Sequence, residues 1–203
     1  MKSLSEIETV SKRASRAAGY SWGVAEEVAK NIRLLEMFNL PGIKNLNSFF
    51  KKKKELRLVN ISLINKDNET NKNEYCPIIV GVNCLDQIRT LESLNEITFK
   101  KVAYPLLFLP FISRASEVIG KRIFVKMDDR EFLLNFNNNI YSNHKKNEII
   151  ESAENIHLKI LENQDTFEEK EWNELYKLSE ETFVEENESL KRAGAGAGLT
   201  DND

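Results

Sequence analysis

The sequence predicts an α+β fold, and three observations carry that prediction. Helix-period stripes crowd the first 54 residues, period-two alternation begins after Gly120, and between them lies the longest apolar stretch, Val102 to Gly120. The expected architecture is an N-terminal helical hairpin and a central apolar helix packed with a small antiparallel sheet, closed by a C-terminal helix and a Gly-rich tail. With 203 residues, a single α+β domain is expected over 1–192, its helical part at 1–54 and its mixed part at 55–192. A Gly/Ala-rich acidic tail then occupies 193–203.

The first helix is expected over 3–18. Ser3 and Glu6 have the spacing of a capping box, and Leu4, Ile7, Val10, Ala14 and Ala17 fall on one stripe. Gly19 and Tyr20 break the pattern, and Ser21 is a natural N-cap for a second helix through about Phe38. Its inner face reads Ala25, Val28, Ala29, Ile32 and Leu35, small enough for close approach between the two helices. Leu40-Pro41-Gly42 ends it, and a third helix follows over about 43–54, its four closing lysines complementing the helix dipole.

Leu56 to Ile64 alternates in places and reads as a strand, and the Asn-rich Lys66 to Glu74 as a surface loop. From Ile78 to Leu91 two readings compete. Ile78, Val82, Leu85 and Ile88 fit a helical stripe, whereas the β-branched run with Gly81 fits a buried strand; the helix is preferred. Ile97 to Val102 is a short strand leading into the apolar stretch. That stretch is too short to span a bilayer, which needs roughly 20 apolar residues, so it reads as a core helix. Pro105 suits its first turn, Pro110 predicts a kink, and Gly120 marks its stop. Arg122 to Met127 and Glu131 to Phe136 flank the hairpin signal Asp128-Asp129-Arg130. Asn137 to Asn139 form a second turn, with a short strand at Ile140 and Tyr141. Asn155 to Glu162 joins the same sheet, and an acidic helix over Glu168 to Phe183 carries Trp172, Leu175, Leu178 and Phe183 on its apolar side.

Composition narrows the function classes. The N-terminus has no charged and apolar leader pattern, and the two cysteines, Cys76 and Cys84, lack the companions of a metal site. A reduced, cytoplasmic chain is expected, without a membrane span, metal or cofactor. The abundance of Lys, Asn and Ile suits an AT-rich bacterial genome. Charge is polarised: residues 1–147 carry 24 Lys/Arg against 16 Asp/Glu, whereas 148–203 carry 5 against 16. The acidic part is helical and partly apolar, which favours docking on the basic part over a nucleic-acid role. Nucleic acid is not an expected partner, since no recognition motif is present.

Candidate chemistry is thin. Cys76 would serve as a nucleophile if a histidine approached it, but His144 and His157 lie in a polar turn and on a strand, and a small buried hydrophobe is the plainer reading. Asp86 is a candidate general base on weak grounds. Trp22, beside Gly23, is a contact residue or a core aromatic of the hairpin. In the tail, Gly194, Gly196 and Gly198 allow backbone approach or an anion nest, and Asp201, Asp203 and the terminal carboxylate cluster three acidic groups. A frayed terminus is the plainer reading of those residues.

The chain resembles a bacterial family, the domain-of-unknown-function family numbered 3726. The resemblance rests on the hairpin segment at 18–27 with Leu40-Pro41-Gly42, on Cys76-Pro77 with Gly81, Asp86 and Pro105 to Phe111, and on Thr182 to Val184, Glu188-Ser189 and the closing Gly/Ala tail. Glu185 stands where proline would be looked for. The resemblance implies a structured tail and no particular activity. Together these features point to a binding or accessory protein in a metabolic context, meeting a protein partner or a second copy through its tail. The alternative is a small-molecule enzyme with a pocket between helices and sheet.

Overall fold

The chain's first helix starts on the predicted signal. Ser3 Oγ accepts from the Glu6 amide at 3.2 Å, and the Glu6 carboxylate accepts from the Ser3 amide at 2.8 Å, opening α1 over Leu4–Ala17. The computed structural model describes residues 2–71, 73–145 and 147–182. Ser21 caps α2, Trp22–Met37, by accepting from the Val24 amide at 3.3 Å. Its inner face is the predicted one: Ala25, Val28, Ala29, Ile32 and Leu35 are all buried. Burying Val28, Ile32 and Leu35 contributes roughly 1.5–3 kcal/mol each.

The predicted stripe of α1 is corrected. Ser11 and Ser15 are buried, whereas Val10 is 62% exposed and Ala17 is on the surface. Small residues decide the matter: α2 offers Ala25 and Ala29, and serines on α1 let the backbones come close. Ser15 Oγ satisfies itself by donating to the Ser11 carbonyl at 2.7 Å. The face that packs therefore runs Ile7, Ser11, Ser15, and Val10 is turned outward.

α3 spans Gly42–Lys52 and ends in the expected lysines. Pro41 offers no side-chain cap, and the Glu36 carboxylate accepts from the Ile43 amide at 2.8 Å instead. A β-carbon on Gly42 would stand 2.8 Å from Leu35 Cβ, so this close turn requires glycine.

The expected strand over 56–64 contracts to β1, Leu58–Val59. The polar stretch after it is not all surface loop. β2, Asp67–Asn68, lies beside the central strand, and Asn68 is buried, its amide donating to the Asn65 and Thr98 carbonyls at 2.7 and 2.9 Å. β3 is Glu74–Tyr75, and α4, Pro77–Leu91, is the preferred helix. β4 is Glu96–Ala103, and α4 is the crossover between parallel strands β3 and β4.

The apolar stretch divides rather than kinks. Tyr104 turns the chain at φ +43, a 3-10 turn follows at Pro105–Leu107, and α5 runs Leu109–Ile119. Pro110 thus falls in the first turn of α5, where its missing N–H costs no helical bond. Leu106, Phe108, Leu109 and Ile112 are fully buried, and Gly120 ends α5 at φ +64, as predicted.

β5 (Arg122–Met127), β6 (Arg130–Asn135), β7 (Asn139–Ser142) and β8 (Ser152–Leu161) complete the sheet in the order β1-β3-β4-β8-β5-β6-β7, with β2 also on β4. The α+β class holds, with one correction. Among the described residues the sheet has eight strands and is mixed, because β1, β2, β3 and β4 pair in parallel while β8, β5, β6 and β7 add antiparallel ladders. Its inner face carries Ile97, Phe99, Ile123, Val125, Phe132, Ile156 and Leu158, all buried.

The chain forms two compact units, Met1–Asn163 and Gln164–Asp203. In the second, α6 spans Glu169–Glu180 behind a capping box of Glu168 and Glu171. The expected end of this helix at Phe183, the boundary after 192 and the tail residues Gly194, Gly196, Gly198, Asp201 and Asp203 lie outside the described residues. Among the described residues no helix is long and apolar enough to cross a membrane.

Candidate binding face on the N-terminal helices

Turning Val10 outward has a consequence at the surface. Between the start of α1, the end of α2 and the start of α3 lies an open hollow of about 890 Å³. Leu4, Ile7, Val10 and Ile43 supply its apolar lining, and Lys2, Glu6 and Glu36 its charged rim. Ile43 is 40% exposed, so two branched aliphatic side chains here face water. Glu6 and Glu36 are not free to swing across it, since each carboxylate holds a helix-start amide. The amide of Ser3 and the Glu6 carboxylate bind each other, which holds the Glu6 carboxyl below the usual carboxylate range.

A second hollow of about 530 Å³ adjoins it, lined by Glu8, Lys12, Arg13 and Trp22, and Ser5 and Thr9 border both. Trp22 is 59% exposed, and the Arg16 guanidinium carbon stands 5.5 Å from the centre of its ring. Trp22 is therefore not a core aromatic of the hairpin. Lys12 reaches Glu26 at 2.9 Å and Arg33 reaches Glu8 at 3.6 Å, which ties α1 to α2 beneath the hollows. The arrangement suits recognition: a rigid helix pair, exposed aliphatic side chains and an aromatic stacked under a cation.

The other sequence candidates are placed elsewhere. Cys76 is the N-cap of α4, 3% exposed, with its sulfur 3.5 Å from the Tyr20 hydroxyl. Burial first, and the neighbouring Cys76 second, push the Tyr20 phenol far above its ordinary value. Lys53 Nζ sits 3.9 Å from the centre of the Tyr20 ring and donates to the Ala18 carbonyl. Asp86 is on the exposed side of α4, ten residues from Cys76 and thus about 15 Å along the helix. The two are not brought together. Cys84 is buried in the core, which pushes its thiol up. Neither histidine is a partner of Cys76: the His144 ring lies 6.1 Å from that of Phe132, and His157 Nε2 is 3.7 Å from Glu96 on β4. Among the described residues no three His, Cys, Asp or Glu side chains converge on a point that suits a metal ion.

One buried group stands out near the carboxyl end of β4. The Tyr104 hydroxyl is enclosed and finds no hydrogen-bond partner among the described residues, and the residue holds φ +43, a region bulky side chains avoid. Its ring lies 5.6 Å from that of Phe49. Sequence reasoning did not find Tyr104, Val10 or Ile43. The signal for Val10 was present, however: Ser11 and Ser15 share the i, i+4 line with Ile7, and small residues mark the closest helix contact.

Residues 2–76 match the model of a family described as a protein of unknown function, DUF3726. The matched residues contain the whole of α1, α2 and α3, both hollows, and Cys76. No curated protein and no solved structure matches the chain.

Proposed function

We propose that this is a binding or accessory protein whose N-terminal helices, inside the part that carries the family match, receive a partner protein. The observation that carries the reading is the exposed aliphatic hollow of Leu4, Ile7, Val10 and Ile43, bordered through Ser5 and Thr9 by the hollow of Trp22. An apolar side chain of a partner fits such a hollow by the ordinary logic of interface anchors, with the charged rim supplying register. Support also comes from the way Glu6 and Glu36 are held, which keeps the rim in place before any partner arrives.

The test is a photo-crosslinking amino acid placed at Thr9, on the ridge between the hollows, in the full-length protein within its own host. The same group at Tyr141, 58% exposed on β7, serves as control. A discrete adduct with one other protein from position 9, absent from position 141 and lost with Val10→Asp, is expected. Equal adduct patterns from both positions, or none from position 9, contradict the reading.

A further inference from the structure

We draw no further inference here: the strongest candidate, the enclosed Tyr104 hydroxyl at the end of β4, close to Lys52, Glu74 and Glu151, carries none, because neither hollow reaches it and nothing in the structure shows what would meet it.

Discussion

Gly81 of α4 lies flat against the ring of Phe111 on α5, so close that a β-carbon on Gly81 would stand 2.2 Å from Phe111 Cδ2. The ring is itself buried and cannot swing away. This contact sets the spacing of α4 and α5, and it explains why a glycine sits in the middle of a helix at a cost in propensity. Gly81→Ala should therefore destabilise the fold by about 1–3 kcal/mol, the usual range for overpacking a core. Urea denaturation of the two proteins measures this; an unchanged midpoint would mean the helices part freely.

Arg114 of α5 reaches across to Glu27 of α2 at 2.5 Å, and Lys30 joins the same carboxylate at 3.0 Å. Burial alone would raise the Glu27 pKa, but hydrogen bonds from Lys30 and Arg114 outweigh it and hold the carboxyl below its usual value. Because the folded pKa is depressed, this stabilisation is present above about pH 4.5 and lost as pH falls through the folded value. Arg114→Ala should cost about 1–2 kcal/mol at pH 7, with less loss at pH 3. Urea midpoints at the two pH values give the comparison.

His144 loses stability in the same direction, for a different reason. Burial holds its imidazole below the usual 6.5, outweighing the nearby Glu148, and both ring nitrogens are enclosed. The fold prefers the neutral ring, so stability is retained above about pH 6.5 and declines as pH falls below it, until the folded ring also protonates. His144→Gln should flatten the change in urea midpoint between pH 7.5 and pH 5.5. A wild-type profile already flat over that range would contradict the assignment.

Ser11 offers a stabilising change. Its hydroxyl is buried with no partner among the described residues, and its carbonyl, not its side chain, receives the Ser15 hydroxyl. Ser11→Ala should raise stability by about 0.5 kcal/mol, since alanine removes an unsatisfied group and is the better helix former. A loss of more than that in thermal or urea melts would show that the hydroxyl is bonded after all.

How far the sequence spoke depends on whether a signal was local. The cap at Ser3, the cap at Ser21, the inner face of α2 and the stop at Gly120 are all written within a few residues, and all appear as read. Val10 was misplaced because hydrophobic periodicity ranks side chains by polarity alone, and the contact between α1 and α2 is chosen by size. Pro110 was misread for a related reason: the run looked continuous, but Tyr104 and Pro105 had already turned the chain, so a proline taken as interior falls in a first turn. Asn68 was unpredictable from polarity, since its burial depends on the Thr98 carbonyl 30 residues away. Of the candidate site, Trp22 was legible and the hollow beside it was not. A hollow made by three helix ends has no linear pattern.

The exposed hollow also makes a stability prediction that isolates function. Val10 is 62% exposed and packs against little, so Val10→Asp should leave the unfolding free energy within about 0.5 kcal/mol of wild type in urea melts. A variant that folds normally and fails to bind would localise recognition to this face.

The most direct test is native mass spectrometry of the full-length protein recovered from its own host, wild type beside Val10→Asp. The account predicts a complex heavier than the 23.4 kDa chain for the wild type, with a second protein present in fixed ratio, and loss of that second protein for Val10→Asp. The same mass for both proteins would contradict it.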